Sequence, residues 1–526
     1  MKQKVIQALE TAAEQLGYFE NVELTPSRGR SDFATNLAMK VAKKINANPL
    51  EVAEQIIANL SASFIARAEV ATPGFINLYL NPNSLALQIQ QVLEQGANYG
   101  RGKQSHYINV EYVSVNPTGY LHVGHARNAA LGATLSNVLK FAGNRVDQEY
   151  YVNNVGVQMK VLAESLYVRY LQALSKPAEL PEEAYRGPEI IDLASQIVKD
   201  SGAKYLELPA QKVKQEFAKI AENFMIEKIK QHLALIGVKM DTYYYEQDLY
   251  DHKLVIPALE SMPDTYRKDG ALWLKTTKFG DDKDRVLIKS DGSFTYFASD
   301  IAYHSVKLKR GYDELIDVWG GDHIGYVKRV KISLAQLGLP ADKLDIIIIQ
   351  MVRLIQDGKE LKMSKRKGVA FTLEELVKTI GQDAARFYLI SRANTTQVDI
   401  NLDLVTSANS DNLVYMVQYS HARARQLLVK SSQKPRIGVY LEGKENQLVN
   451  LISEFPELIE TIAKTHKVHL LPQYLVSLAR LFNQFYSETR IISSERESEL
   501  LALVKAVKQV LATGLTLIGV SAPDQM

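Results

Sequence analysis

The chain has 526 residues, 46% hydrophobic and 23% charged, with a formal net charge of +3; that length holds several domains and that balance is ordinary for a globular protein, which excludes a disordered or fibrous chain. It has no cysteine, which excludes disulfides and thiolate-bound zinc or iron–sulfur centres. No run approaches the ~18 consecutive apolar residues of a membrane span, and the start Met1-Lys2-Gln3-Lys4-Val5 leads into an amphipathic pattern, so a soluble, cytoplasmic protein is expected, while so small a net charge neither requires nor forbids a nucleic-acid partner.

Residues 1–102 read as a small α+β unit. Apolar residues recur at helical spacing over 5–16, 33–45 and 52–60. A strand-like run, Phe75-Ile76-Asn77-Leu78-Tyr79-Leu80, follows the turn signal Pro73-Gly74. Residues 96–102 read as a linker. Next comes a βαβ unit: a buried strand carrying Ile108, Val110, Tyr112, Val113 and Val115, a break at Pro117 and Gly119, a helix from His125 to Ala142 stopped by Gly143-Asn144, and a second, parallel strand over 146–152. Residues 153–290 are mostly helical in pattern, with a possible strand at Ala271-Leu272-Trp273-Leu274. That block is too long for one crossover and is expected to be an insertion between two halves of a nucleotide-binding domain. Strand–helix alternation resumes over 294–355, with Trp319 closing one apolar run and Ile346-Ile347-Ile348-Ile349 forming a buried strand. From about residue 370 the pattern is helical to the end, with a polar gap near 431–446.

Two segments carry chemistry. In Asn116-Pro117-Thr118-Gly119-Tyr120-Leu121-His122-Val123-Gly124-His125 two histidines sit where a strand hands over to a helix, the place where open α/β sheets bind nucleotides. A phosphate there would meet unpaired backbone N–H groups and the positive end of the helix dipole. Gly124 would let a ligand approach the backbone, and His122 and His125 can donate to phosphate oxygens. The same pair also suits a closed turn, or less well a metal pair, since no carboxylate follows at the zincin spacing. The second segment, Lys362-Met363-Ser364-Lys365-Arg366-Lys367-Gly368, puts four positive charges into six residues. By default this is a solvated loop, but its place after a buried strand and the turn Gln356-Asp357-Gly358 puts it where loops line the ligand crevice and lysines can neutralise a leaving phosphate. A third signal, Gly438-x4-Gly443-Lys444, lacks the Ser/Thr of a P-loop, having Glu445 instead, and follows no buried strand; it is set aside.

Together, His122-Val123-Gly124-His125 and Lys362-Met363-Ser364-Lys365-Arg366 resemble the HIGH-type and KMSKS-type signatures of class I aminoacyl-tRNA synthetases. The surroundings are similar to arginyl-tRNA synthetases in particular: Asn116-Pro117-Thr118-Gly119, Glu149-Tyr150-Tyr151-Val152-Asn153, Ser290-Asp291-Gly292, Tyr296-Phe297-x2-Asp300-Ile301-Ala302-Tyr303-His304, Gly321-Asp322-His323 with Gly325-Tyr326, and Gln418-Tyr419-Ser420-His421-Ala422-Arg423. Asp32-Phe33-Ala34-Thr35-Asn36 and Pro73-Gly74-Phe75-Ile76-Asn77 fit the family's extra N-terminal domain. The resemblance runs through Ala522-Pro523. Asn154 stands where the family often has Asp, Leu413 where a proline is common, and Lys365 is present although many members lack it.

The resemblance implies an α/β fold: a Rossmann-like parallel-sheet catalytic domain over 103–370 with an insertion at about 153–290, the α+β N-terminal domain over 1–102 touching tRNA, and an all-α connector and anticodon-binding domain over 371–526. It implies an arginine–tRNA ligase that converts L-arginine and ATP to arginyl-adenylate and pyrophosphate, then passes the arginyl group to the terminal ribose of tRNA(Arg). His122, His125, Lys362 and Lys365 would be catalytic. Pro117, Thr118, Gly119, Leu121, Val123, Gly124, Asp322, His323, Met363 and Ser364 would line the ATP site. Mg²⁺ would travel with ATP, held mainly by phosphates and water, with no zinc and no protein metal site. A guanidinium needs planar carboxylate recognition. Tyr296 and Asp300 would supply it, with Glu111, Asn116 and Asn153 toward the other end of arginine. Tyr415, Tyr419, His421 and Arg423 would face the anticodon, through phosphate contacts and base stacking; Arg28 and Arg30 are weaker tRNA candidates. A monomer is expected, with no membrane partner. A non-catalytic tRNA-binding paralogue would keep the scaffold but has no need of both histidines and both lysines; a HIGH-type nucleotidyltransferase acting on a small metabolite has no need of the helical C-terminal domain.

Overall fold

The alternation in Phe75–Leu80 becomes a strand with every second side chain buried. In this computed structural model, which describes residues 2–26, 31–361, 371–439 and 443–526, that strand lies inside an antiparallel sheet of order Leu24–Pro26, Phe33–Thr35, Phe75–Leu80, Ile65–Ala71. Helices Leu37–Ile45 and Pro49–Ala58 pack on it. Asp32 ties this unit to the far end of the chain, its carboxylate accepting the Leu80 N–H at 2.7 Å and the Asn450 amide at 3.2 Å. Arg28 and Arg30 lie outside the described residues. The expected linker at 96–102 is fastened to the C-terminal helices: Tyr99 is buried, bonds the Ile452 carbonyl at 3.3 Å and stacks on Phe455.

The parallel sheet follows from the buried apolar runs. Strand β1 is Tyr107–Glu111, helix α1 Val123–Phe141, strand β2 Arg145–Val152 and strand β3 Thr242–Tyr245. Helix α2, Tyr296–Lys309, leads to strand β4, Glu314–Gly320, and strand β5, Leu344–Ile349. All five strands are parallel, in the order β5-β4-β1-β2-β3. The chain therefore builds outward from β1 on one side, then returns to add β4 on the other. The crevice between β1 and β4 is the switch point where such sheets bind ligands. Helix α1 covers it and is buried nearly all round, which is why alanine and leucine dominate its sequence.

The block 153–290 is not one insertion. Helices Val157–Ala173, Pro188–Ser201 and Ala210–Leu235 form a unit with its own core around Leu162, Tyr170 and Phe217. The chain then returns to the parent sheet as β3, whose run Thr-Tyr-Tyr-Tyr is half-buried throughout and so shows no alternation to read. A second excursion forms a three-stranded antiparallel sheet from Thr265–Lys268, Ala271–Leu274 and Arg285–Ile288.

Helix α3, Leu373–Leu389, begins the C-terminal part, but ahead of the expected polar gap the helical pattern is interrupted by Val398–Asn401, which pairs in parallel with Val352–Gln356. Four residues with period two are easily lost beside long helices. Helix α4, Leu413–Lys430, then joins Leu470–Glu488 and Glu497–Leu517 in a bundle. The last helix is apolar and long enough to span a membrane by composition, yet 72% of its apolar stretch is buried within the fold; it is a bundle core. The P-loop-like Glu445 is held by Arg496 at 2.8 Å, a structural ion pair.

Candidate active site

Strand β1 ends at Glu111, earlier than the apolar run suggests, because the chain turns through two left-handed residues, Val113 (φ 70°) and Ser114 (φ 38°). For a β-branched residue that backbone costs about 1–3 kcal/mol. The bonds that hold it explain its persistence. The Val113 N–H donates to Asn128 Oδ1 at 2.7 Å, while Asn128 Nδ2 donates to the Val318 carbonyl at 2.8 Å, so α1 cross-links the ends of β1 and β4. Ser114 Oγ accepts the Tyr151 N–H at 3.0 Å. The turn aims the following loop back over the sheet.

That loop delivers His122 as the N-cap of α1. His122 Nδ1 accepts the Gly124 N–H at 3.1 Å, and His125 Nδ1 accepts the His122 N–H at 3.3 Å, in a reciprocal capping box with the rings stacked 3.5 Å apart. The Val123 N–H donates to the Phe371 carbonyl. The first-turn N–H groups expected to await a phosphate are therefore engaged within the protein. What the cap offers instead is fixed tautomers: each Nδ1 accepts, which puts the ring proton on Nε2. Gly124 also leaves room for the ring, since a Cβ there would lie 3.0 Å from His122 Cε1. Leu121 and Val123 flank the cap. Their side chains are fully buried, and their backbones bond Leu373 and Phe371; they brace the site. Pro117 is buried, while Thr118 and Gly119 remain partly exposed on the loop.

Residues 362–370, with Lys362, Met363, Ser364 and Lys365, lie outside the described residues. Both their flanks are placed. Upstream, the hairpin of Val352–Gln356 with Lys359–Glu360 turns at Asp357 and Gly358, both with positive φ, and the Leu361 N–H bonds the Leu354 carbonyl. Downstream, His122 and Thr372 form an antiparallel bridge, with the Leu373 N–H on the Leu121 carbonyl at 2.7 Å. The histidine segment is thus paired by backbone with the residues just downstream of the basic segment. Asp322 and His323 follow β4 in a short 3-10 turn and are well exposed, 3.6 Å apart.

Beside β1 lies a buried polar cluster. Tyr303 Oη lies 2.7 Å from both Glu111 and Glu149 and shares its single proton between them. Lys307 lies 2.7 Å from both Glu111 and Asp317, and Arg310 forks onto Glu149 at 2.7 and 2.9 Å. His304 contacts the Asp300 carbonyl and the Asp317 carboxylate, each at 2.8 Å. Both partners are acceptors, so both ring nitrogens carry protons and His304 is an imidazolium. Burial alone would raise the Asp317 carboxyl, but Lys307 and His304 hold it down to about 2. Asp300 behaves oppositely. Burial, opposed by His304 but aided by Glu246, Glu111 and Asp317, pushes it up to about 7. Tyr296 lies one turn before Asp300 on α2, is 56% exposed and edges a cleft of about 230 Å³ shared with Thr295, Tyr326 and Arg329. A larger groove of about 660 Å³ lies instead where α3 meets residues 516–522. Asn116 bonds Gln158 and Asn153 is partly exposed at the end of β2. The stripe 296-300-303-304-307 is the signal for this cluster: polar residues at helical spacing on a helix that is otherwise core.

Both departures from the family pattern are accommodated. Asn154 Nδ2 donates to Glu222 at 3.0 Å while its Oδ1 accepts the Gln247 N–H; an aspartate could do only the second. The Leu413 N–H donates to Tyr388 Oη at 2.9 Å, a bond proline cannot make. On α4, Tyr415 stacks on Tyr419, and Arg423 lies between the rings of Tyr419 and Tyr486 at 4.6 and 4.5 Å. These side chains are half-buried. His421 is not among them: it is 2% exposed and bonds the Pro523 carbonyl at 2.9 Å, so it packs the C-terminus onto α4 and cannot meet an RNA from there.

Residues 1–80 match the arginyl-tRNA synthetase N-terminal domain, 88–425 the class I (R) tRNA synthetase catalytic domain, and 417–526 the DALR anticodon-binding domain. An arginine–tRNA ligase of Mycoplasma mobile is 43% identical over 100% of this chain and 99% of its own length. That of Oceanobacillus iheyensis is 40% identical over 96% and 94%. The solved arginyl-tRNA synthetase of Thermus thermophilus shares the fold, with a TM-score of 0.78 at 23% identity over the whole of both chains.

Proposed function

The chain belongs to the arginyl-tRNA synthetase family, and from that premise we propose how its residues divide the work. It is a class I arginine–tRNA ligase: it uses ATP to activate L-arginine as the adenylate and transfers the arginyl group to the 3′-terminal ribose of tRNA(Arg). The observation that carries the assignment of roles is the pairing of His122 with Thr372, which brings the chain just downstream of the basic segment beside the histidine cap.

In this reading the Nε2–H groups of His122 and His125 donate to ATP phosphates, and Lys362 and Lys365 balance the charge of the triphosphate and departing pyrophosphate. Activation is an in-line displacement at the α-phosphate by the arginine carboxylate, so most of the catalysis is positioning and charge stabilisation. Mg²⁺ travels with ATP, held mainly by the triphosphate and water. Pro117, Thr118, Gly119, Asp322, His323, Met363 and Ser364 line the nucleotide, Glu111, Asn116 and Asn153 face the arginine backbone groups, and Tyr296 and Asp300 face its guanidinium. The N-terminal unit touches tRNA, as do Tyr415, Tyr419 and Arg423. The enzyme works as a cytoplasmic monomer.

The test is arginine- and tRNA-dependent consumption of ATP by the full chain. Charging of tRNA with arginine is expected, with ATP–pyrophosphate exchange nearly silent until tRNA is added. Folded protein that charges no tRNA with arginine refutes the ligase reading, and robust exchange without tRNA refutes the coupling.

A further inference from the structure

We infer that His232 is a positioning residue for arginine activation: it wedges between the loop that delivers the histidine cap and the helix that follows the basic segment, and so holds the cap from the side of the three-helix insertion. This rests on the proposed contact of His122 and His125 with the ATP phosphates.

Each of the insertion's three α-helices touches the loop 116–120. Asn116 Nδ2 donates to Gln158 on Val157–Ala173. Glu189, in the first turn of Pro188–Ser201 and 9% exposed, sets its Oε1 3.6 Å from the place that a Cβ on Gly119 would take. His232, in the last turn of Ala210–Leu235, meets the Tyr120 ring edge-on at 4.9 Å. Burial, aided by Glu189, Asp192 and Glu374, pushes the Tyr120 hydroxyl up, so acids of the insertion and of α3 both face this ring.

The helix Ala210–Leu235 is the link. Its Val213, Phe217, Ala221 and Met225 belong to the insertion's own core, whereas its Ile226, Ile229 and Leu233 belong to the main core. One helix of 26 residues, about 39 Å long, thus enters both cores, and a displacement of the insertion carries to the end that bears His232. There the ring meets both approaches to the cap. Tyr120 lies two residues before His122; Glu374, whose carboxylate is 3.8 Å from His232 Nε2, lies two residues after Thr372, the bridge partner of His122.

His232 costs the fold stability. It is 4% exposed, its Nδ1 is buried with no hydrogen-bond partner, and the Glu374 contact is too long for a hydrogen bond. Burial, opposed by Glu374 and aided by Lys228, holds the imidazole below its usual range, and an unpaired buried nitrogen is unfavourable. An aliphatic side chain would suit the apolar stripe of this helix better. What it lacks is the aromatic edge against Tyr120.

The test follows single-turnover adenylate formation by the full chain with tRNA present, in H232L, Y120A, Y120F and the H232L/Y120A double variant, together with KM for ATP and arginine and the melting temperature. H232L is expected to melt at or above the wild type, because it removes the unpaired nitrogen. It should nonetheless form adenylate about two- to tenfold more slowly, the effect of a lost aromatic contact, with both KM values within about twofold, since the cap is tilted and not removed. Y120A should be slowed alike, and Y120F, which keeps the ring, should recover the rate. The double variant should be no slower than Y120A, as for two residues that act through one contact. A wild-type rate in H232L overturns the inference. So does a slow H232L that melts well below the wild type, which is loss of packing, or a double variant whose losses multiply. A wild-type rate in H122A overturns instead the role of the histidine cap on which the inference rests.

Discussion

Replacing Lys307 with methionine removes one ammonium and strands two carboxylates. Lys307 is fully buried and 2.7 Å from Glu111 and Asp317, which are 8% and 0% exposed at the side chain. Methionine fills nearly the same volume, so the loss is electrostatic. Glu111 keeps only Tyr303, and Asp317 only His304. Breaking a buried pair in this way costs about 3–5 kcal/mol, which at roughly 2–4 °C per kcal/mol for a domain of this size lowers the melting of the catalytic domain by roughly 6–20 °C. The pH dependence gives a second, sharper reading. In the wild type Asp317 titrates near 2, below the ~3.9 of an unfolded aspartate. Its contribution is complete above about pH 4 and disappears only as the pH falls toward 2. Without Lys307, only His304 opposes the burial that raises the Asp317 carboxyl; with that carboxyl above its unfolded value the folded state holds more protons than the unfolded one, and stability falls as pH rises. Calorimetry from pH 5 to 8 should show K307M gaining more stability on acidification than the wild type, in which raised Asp300 and His304 already favour the folded state at lower pH. A melting shift under about 2 °C, or equal pH slopes, refutes the reasoning.

Three further expectations follow from the site. Asp300, facing Glu246, Glu111, Asp317, His304, Tyr151 and Tyr326, sits at about 7, and a cation binds its ionised form. Arginine KM should therefore rise as pH falls below about 7 and level off above it; a KM constant from pH 6 to 8 contradicts a titrating Asp300 in that seat. His122→Asn keeps a side-chain acceptor for the cap and a donor toward phosphate, whereas His122→Ala loses both, including a cap worth about 1 kcal/mol. Charging rates at fixed ATP should rank wild type above Asn and Asn above Ala, and equal rates for Asn and Ala would show that the cap is irrelevant. Lys365→Ala should slow arginine activation about tenfold or more through lost charge stabilisation, read as single-turnover adenylate formation with tRNA present; an unchanged rate removes that role.

Much of the architecture was readable from the chain because it rests on local patterns. The alternation at 75–80, the alanine-rich helix after His122 and the run of isoleucines before residue 350 each declare their element by periodicity alone. The two signature segments were readable for a similar reason: histidine, glycine and lysine at a strand-to-helix handover are rare enough to carry meaning. β3 was hidden because its half-buried tyrosines do not alternate, and Val398–Asn401 because four residues make a weak signal against long helices.

What only the tertiary structure decided are the partnerships. Sequence named His122 and His125 but gave them to a phosphate through open backbone donors; folding showed each ring capping the helix with Nδ1, which fixes where its proton sits. Sequence placed His421 on a helix resembling an RNA-binding one; folding turned it inward onto Pro523, because which face of a helix is buried depends on what packs against it. Most of all, the balance of Glu111, Glu149 and Asp317 against Lys307, Arg310 and His304 joins residues up to 196 positions apart at distances no periodicity encodes: the local spacing on α2 sets which groups share a face, but only the docking of that face on β1, β2 and β4 determines which charges are paired.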